Sequence, residues 1–303
     1  MGPVLFTLFL QDIIPIIESY GLKFHFFADD IQLYFPYSKF NSKLPSLQSC
    51  LKDISKWTKN NFLKLNQSKT KFLNIHLKNC SSTIERIEVL PETFNIEPQV
   101  KNLGFVIDTK LSLTNQISNV CRRGYYYLRN LWMISSKLNS TQLKIQMTHA
   151  CIISQIDYCS TLYYNLPKKE IRRLQKLMNS AVRFIFNIKK PMTHITPYLK
   201  KCHLLPVHLR IQFKICMVIF KCLNNSAPRY LQNLLFPKTS LECLRINKDK
   251  TLLQQPLPQT IFKNRRFSVA GPKLWNELPQ ELREITSLSE FKSKLKTYLF
   301  NMF

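Results

Sequence analysis

Alternation of apolar and polar residues predicts a β-hairpin near the start of the chain. Residues 22–28 and 31–35 alternate with the two-residue period of half-buried strands, and the acidic pair Asp29-Asp30 lies between them. An Asp-Gly or Asn-Gly pair would form such a tight turn at lower cost, because those residues accept positive φ. Two interpretations are open here: an ordinary polar hairpin tip, or a site where a divalent cation relieves the repulsion between the carboxylates.

The periods of the remaining residues predict an α+β first part followed by a mostly helical second part. A helix over residues 3–12, with the apolar stripe Leu5, Leu8 and Phe9, is expected to end at Asp12 and Pro15. Further predicted elements of the first part are a helix over 46–60, strands near 63–65, 72–75 and 103–107, and a second hairpin over 79–99. Those of the second part are helices over 117–131, 143–154 (with Leu143 and Met147 facing the core), 167–190, 207–223 and after Ser289, with a long loop over 238–266.

The uneven distribution of charge changes the picture of the second part. The net charge is +26, and residues 111–303 carry 31 Lys and Arg against eight Asp and Glu. Between residues 111 and 240 the only acids are Asp157 and Glu170. Nucleic acid is the natural partner of such a segment, since each neutralised phosphate releases condensed counterions. An anionic membrane is the competing polyanion, disfavoured because no polybasic segment adjoins a membrane-inserting helix.

Cysteine usage and hydropathy indicate in which cellular compartment the protein is expected. Nine scattered cysteines form no paired framework, which predicts a reducing, intracellular location, nuclear or cytoplasmic. No run of residues predicts a transmembrane helix or a signal peptide, so no membrane association is expected. A zinc set could be built from His194, Cys202, His203 and His208, but the absence of a C-x2-C pair disfavours it.

The acidic pair stands within a series of motifs that together resemble one protein family. Phe27-Ala28-Asp29-Asp30 follows a segment over Gly2–Pro15 and precedes segments over Leu65–Thr70 and Val100–Asp108. Later members of the series are Ile156–Cys159, Leu166-Pro167, His194–Pro197, Leu205–Val207 and Phe267–Pro279. In this order and spacing the chain resembles the palm, thumb and C-terminal region of reverse transcriptases from LINE-type non-LTR retrotransposons, in the jockey-like group.

The resemblance implies a fold, an activity and partners. The fold would be α+β, with a partial reverse-transcriptase palm at residues 1–112, a helical basic thumb-like region at 113–237, and a loop and C-terminal helical region at 238–303. The implied activity is RNA-directed DNA polymerisation with Mg²⁺ or Mn²⁺, and the implied partners are the RNA and DNA of a template–primer. The resemblance predicts nothing about homo-oligomers.

The resemblance also implies roles for particular residues. Asp29 and Asp30 match a pair of metal-holding carboxylates, and Lys69 matches a lysine near the leaving pyrophosphate. Phe27 and Ala28 match positions close to the primer end, and Gly104 matches a hairpin that grips the primer. The simpler interpretations are core packing for Phe27 and Ala28, a solvated lysine for Lys69, and a bulge for Gly104.

One predicted helix, over residues 167–190, carries the best candidate for a nucleic-acid-binding surface outside the palm. Its basic residues are Lys168, Lys169, Arg172, Arg173, Lys176 and Arg183. A charged face is more often merely solvated, but the scarcity of acids around this helix favours binding.

The family's third metal-holding carboxylate and its fingers lie upstream of the segment that begins here at Gly2. We therefore expect this chain to be N-terminally truncated and inactive on its own. The alternative is a non-catalytic nucleic-acid-binding remnant or a protein reused by its host, and a purely structural helical protein fits the charge least well. Whether the chain is an enzyme stays open between the first two.

Overall fold

A computed structural model describes residues 2–75, 86–89, 92–190, 193–238, 251–257 and 263–303. The chain divides into two compact units, Met1–Leu113 and Thr114–Phe303. The first unit combines helices with small antiparallel sheets, and the described part of the second is helical. This mixture agrees with the predicted α+β class at its coarsest level.

Short hairpins and helices alternate in the first unit. Its helical elements are α1 (Gly2–Phe9), a 3-10 turn (Leu10–Asp12), α2 (Ile13–Ser19), a 3-10 turn (Tyr37–Lys39), α3 (Phe40–Asn60) and a 3-10 turn (Gln67–Lys69). Its strands are β1 (Lys23–Phe27), β2 (Asp30–Tyr34), β3 (Arg86–Val89), β4 (Glu92–Asn95), β5 (Gln99–Asn102) and β6 (Phe105–Asp108). The strands pair antiparallel as β1–β2, β3–β4 and β5–β6.

The core of the first unit lies between α2, α3 and one face of the β1–β2 hairpin. Ile13 and Ile17 of α2 are fully buried, and Ile54 of α3 is buried with them. The hairpin packs against this cluster through the partly buried side chains of Phe24, Phe26, Ile31 and Leu33. Full burial of a side chain such as that of Ile13 or Ile17 stabilises the fold by roughly 1.5–3 kcal/mol, and the partly buried hairpin residues contribute less.

The N-terminal helical stretch differs from its prediction in length and in the face it buries. Pro15 does not end the helix, because it lies in the first turn of α2, where a missing N–H loses no intrahelical partner. The predicted stripe is exposed, with Leu5 at 60% and Leu8 at 53% of full exposure. The core is instead contacted by Phe6 and by residues from Leu10 onward, and of the predicted stripe Phe9 reaches a core-packing ring, that of Trp57 at 5.4 Å.

The continuous stretch Gly2–Ser19 has 18 residues and a mean hydropathy of 1.3, enough by length and composition alone to cross a membrane. The prediction that no segment meets this criterion was therefore wrong. Core helices of soluble proteins and signal sequences meet the same criterion. The expectation that the chain does not associate with membranes stays a prediction.

The short strands between α3 and β5 are only partly as predicted. Residues 63–65 form no strand, and of residues 72–75 only Phe72 makes an isolated bridge, to Ile96. The second hairpin is present as β3–β4, while residues 76–85 and 90–91 of the predicted span lie outside the described residues.

Helices form the described part of the second unit. They are α4 (Thr114–Met133), α5 (Thr141–Thr148), a π segment (His149–Ile153), α6 (Ser154–Asp157), α7 (Lys168–Ile185), α8 (Thr196–Lys201), α9 (Val207–Leu223), α10 (Arg229–Gln232), α11 (Phe267–Asn276), α12 (Gln280–Arg283) and α13 (Leu288–Asn301). The 3-10 turns are Ser135–Lys137, Ser160–Tyr163 and Lys263–Arg265. Most of the predicted 238–266 loop lies outside the described residues.

Most helix faces of the second unit bury the residues that the pattern predicted. The exception is the stretch 141–157, where Leu143 is 41% exposed and Thr148, Ile152 and Ile156 are buried instead. The π segment His149–Ile153 accounts for the change at Ile152 and Ile156, because its wider turn shifts the angular phase of the residues that follow its start. The exposure of Leu143 and the burial of Thr148 precede this segment and have no such explanation.

Asp108 orders the end of the first unit. Its Oδ1 accepts hydrogen bonds from the backbone N–H groups of Lys110 (3.0 Å) and Ser112 (2.9 Å), and its Oδ2 accepts from the N–H of Leu113 (2.7 Å). Burial by itself raises the pKa of this carboxyl, but these hydrogen bonds and one from the Ser112 hydroxyl outweigh it and hold the pKa below its ordinary value.

We expect Asp108→Asn to lower the free energy of unfolding at pH 7 by about 1–3 kcal/mol, because N–H groups then lose a charged acceptor. A pKa lower in the folded than in the unfolded state adds stability above the unfolded pKa, near ~3.9, that disappears as pH falls through the folded pKa. The difference between wild type and variant, measured by urea unfolding, should therefore shrink between pH 5 and pH 2. Asp12→Asn, an exposed control, should show little difference. A difference independent of pH would contradict this account.

Candidate metal and nucleic-acid sites

The acidic pair lies at the tip of the β1–β2 hairpin. Because Phe27 pairs with Asp30, the connecting loop has only two residues, Ala28 and Asp29. Both carboxylates are exposed. Ala28 has a φ of 52°, in the left-handed region, which costs a residue with a Cβ about 1–2 kcal/mol. The strand register, rather than a favourable turn residue, therefore imposes the shape of this tip.

Alternation along the hairpin decides what surrounds the acidic pair. Phe24, Phe26 and Ile31 face the core, so Phe27 and Asp30 lie on the opposite, outward face. Phe27 is 59% exposed, and Ala28 is exposed as well. Core packing therefore does not account for either residue, and their role near a primer stays a prediction.

The tip of the β5–β6 hairpin lies on the same outward face. Its two-residue loop, Leu103-Gly104, has φ values of 46° and 82°, and Asn102 pairs with Phe105 without a bulge. The side chain of Gln32 donates a hydrogen bond from Nε2 to Asn102 Oδ1 at 3.0 Å. Gln32 follows Asp30 by two residues on β2, which places them about 7 Å apart on one face. The fold therefore brings the β5–β6 hairpin against the outward face of β2, two residues from Asp30.

Gln32 and Asn102 were missed by the sequence reasoning. Their contact spans 70 residues of chain, and neither residue belongs to a pattern that predicts it. A polar residue on the outward face of β2, two positions from an acid, is the one signal that could have marked Gln32.

Lys69 lies on a 3-10 turn that is ordered by Asn66. The backbone N–H of Lys69 donates to the carbonyl oxygen (3.2 Å) and to Oδ1 (3.3 Å) of Asn66, while its side chain is exposed. Among the described residues, the structure shows no contact between Lys69 and the acidic pair. Its role near a leaving pyrophosphate stays a prediction.

The described residues contain no group of three or more His, Cys, Asp or Glu side chains able to hold a metal ion. Asp12 therefore does not join Asp29 and Asp30, and the zinc set is not assembled. Burial raises the pKa of Cys202 to about 11, and the His203 ring packs against the Phe300 ring at 6.3 Å, so both residues have packing roles.

Helix α7 presents part of its predicted basic surface to solvent. Lys168, Lys169, Arg172 and Lys176 are exposed. Arg173 instead donates to Glu170 Oε2 and to Ser118 Oγ, both at 2.7 Å. Arg183 donates to the carbonyl oxygens of Lys190 (2.7 Å) and Thr193 (3.1 Å). These two arginines stabilise packing and a loop, and the binding role of all six stays a prediction.

Comparison with known proteins shows which family the first unit resembles. Residues 1–107 match the family described as reverse transcriptase (RNA-dependent DNA polymerase). Residues 1–107 thus resemble a reverse transcriptase segment. The acidic hairpin and the Leu103-Gly104 turn both lie inside it, and the family implies nucleic acid as the class of substrate. The predicted kinship with reverse transcriptases is confirmed.

A curated relative extends the similarity beyond the reverse transcriptase segment. It is the probable RNA-directed DNA polymerase from transposon BS of Drosophila melanogaster, 27% identical over 193 residues, which are 61% of this chain and 21% of the relative. The chain thus matches about a fifth of that protein's length. No solved structure matches the chain.

Proposed function

We propose that this chain supplies the acidic hairpin of an RNA-directed DNA polymerase from a non-LTR, jockey-like retrotransposon. The observation that carries the proposal is an exposed pair of carboxylates at a hairpin tip within the reverse transcriptase segment. The relative's name and the motif series support the retrotransposon origin. The substrate would be a primer on an RNA template, in the nucleus or cytoplasm.

Asp29 and Asp30 suit Mg²⁺ or Mn²⁺. Mg²⁺ prefers one or two carboxylates and keeps its other positions for water and substrate phosphates, and an exposed tip leaves room for both. When bound, such ions would stabilise charge on the attacking and leaving oxygens. In the same proposal, the Leu103-Gly104 turn approaches the primer through its backbone, and Lys69 stabilises the departing pyrophosphate.

A second candidate function is non-catalytic nucleic-acid binding. Two observations favour it: the described residues contain no three-carboxylate group, and residues 111–303 carry a charge balance of +23. The exposed cations of α7, in the thumb-like region that the resemblance implies, would then bind RNA or DNA without catalysing polymerisation.

We expect Asp29 and Asp30 to bind Mn²⁺ weakly. In a Mn²⁺ titration followed by NMR, the amide signals of Ala28 and Ile31 should broaden first, because paramagnetic broadening falls steeply with distance. The double variant Asp29→Asn, Asp30→Asn should lose this broadening, since amide oxygens are poorer ligands for a hard cation. Asp12→Asn is the matched control and should broaden like wild type. Equal broadening in the double variant would contradict a metal site at Asp29 and Asp30.

We expect the 1–303 chain not to extend a DNA primer on an RNA template with Mg²⁺ and four deoxynucleotides. The described residues place no third carboxylate with Asp29 and Asp30, which would leave the 3′-hydroxyl and the α-phosphate imperfectly aligned, and alignment supplies much of the rate. Fusing the fingers and upstream palm of a related reverse transcriptase should restore extension, and Asp29→Asn in the fusion should abolish it. Extension by the unfused chain that depends on Asp29 would show that this chain completes the metal site itself.

We expect the chain to bind nucleic acid with an affinity that falls steeply with salt. Replacing Lys168, Lys169, Arg172 and Lys176 with Gln should reduce the slope of log affinity against log salt by up to about 0.7–0.9 for each lost phosphate contact. The matched control replaces four exposed lysines of the first unit, Lys52, Lys56, Lys59 and Lys64. Binding measured by fluorescence anisotropy that is insensitive to salt, or equally affected by both quadruple variants, would refute a role for α7.

A further inference from the structure

Helices α4 and α7 run side by side in the same direction. Three contacts establish this: Ser118 with Arg173, position 124 with Leu177, and Trp132 with Phe184. Residue numbers rise together on both helices, which requires a parallel arrangement. At Gly124 a Cβ would lie 2.4 Å from Leu177 Cδ2, so the glycine allows the close approach.

The outward face of α4 combines cations with aromatic rings. Opposite the buried positions Ile117, Val120, Gly124 and Leu128, helical spacing places Arg122, Tyr126 and Arg129 in one row. Both arginines are exposed, Tyr126 is 62% exposed, and Tyr125 beside it is 43% exposed. The helix contains no acid.

The outward faces of the two helices form a continuous surface. On α7, Lys169 and Lys176 lie in the row of residues next to the row that contacts α4. Both lysines are exposed. Within the described residues, neither lysine and neither of Arg122 and Arg129 forms an ion pair. Their charge is therefore available to an anionic ligand.

The combination of charge and rings decides which ligand this surface fits. An apolar protein partner would leave the four cations desolvated without counter-charges, which is costly. Duplex nucleic acid satisfies the cations but offers no base faces to the tyrosines, because its bases are stacked on each other. A single strand satisfies both, since its phosphates contact the cations and its unpaired bases stack on exposed rings.

We propose that the surface formed by Arg122, Tyr125, Tyr126, Arg129, Lys169 and Lys176 binds single-stranded nucleic acid. The tyrosine rings stack on unpaired bases, and the flanking cations contact phosphates. Arg122 and Arg129 are seven residues apart, about 10 Å along the helix, so they can contact different phosphates on either side of the tyrosines. The proposal rests on the nucleic-acid-binding function above and adds the state of the strand that binds.

The test compares single-stranded and blunt duplex DNA of one 20-nucleotide sequence, fluorescein-labelled, binding to the full chain. The double variant Tyr125→Ala, Tyr126→Ala should weaken single-strand affinity at least about fivefold, with the salt slope unchanged and duplex affinity within about twofold. Phenylalanine at both positions should retain the affinity, since the ring remains. Arg122→Gln with Arg129→Gln should instead reduce the single-strand salt slope by up to about 1.4, at ~0.7 per contact.

Tyr230→Ala, which removes a 58% exposed tyrosine of α10, is the matched control and should bind like wild type. Equal loss of single-strand and duplex affinity in the tyrosine double variant would overturn stacking while leaving nucleic-acid binding in place. Unchanged affinity of this variant for both probes would also overturn the assignment of binding to this surface. A wild-type chain that binds neither probe in a salt-dependent way would overturn both this inference and the proposed binding function. Circular dichroism of each variant establishes that these outcomes report on binding and not on unfolding.

Discussion

The register between β1 and β2 is the constraint on which the candidate active site depends. Phe24, Phe26 and Ile31 must face α2 and α3 to be buried, and a slip of one residue would turn all of them to solvent. That register leaves two residues for the loop and forces Ala28 into a positive φ. It also sets Asp30 on the outward face, in line with Gln32 and the second hairpin. Hydrophobic burial on one side of the hairpin thus positions the charges on the other.

A comparable constraint operates in the second unit, where two basic helices lie side by side. Their buried faces overcome the repulsion between their exposed ones, with Leu174, Leu177 and Met178 of α7 completely buried. Gly124 lets α4 approach closely, and the Trp132 and Phe184 rings meet edge to face at 5.2 Å. The cations are thereby gathered on one side, where a polyanion can relieve their repulsion.

The two acids between residues 111 and 240 are both engaged inside this unit. Glu170 is 8% exposed and pairs with Arg173, which also reaches Ser118 on α4. Asp157 Oδ1 accepts a hydrogen bond from Arg210 Nε at 2.9 Å and forms an ion pair with Lys214 Nζ at 3.6 Å. Lys214 Nζ also donates a hydrogen bond to the backbone carbonyl oxygen of Asp157. Because these carboxylates neutralise partly buried cations within the unit, they do not pair with the exposed cations of α4 and α7. That surface is basic because both acids of this part of the chain pair with cations elsewhere in the unit.

The sequence by itself determined the acidic hairpin, the kinship with reverse transcriptases, the basic second part and most helix faces, because these depend on local periods, short motifs and charge counts. It also predicted six basic residues on α7 but could not separate the solvent-facing cations from Arg173 and Arg183, whose partners come from other turns of the chain. Only the tertiary structure decided that Gln32 meets Asn102, that Leu5 and Leu8 are exposed, and that a π segment changes the buried face after α5. It alone also placed the exposed tyrosines of α4 beside the lysines of α7. Those outcomes depend on which surfaces meet across long stretches of chain, and no periodicity within one segment encodes the position of another.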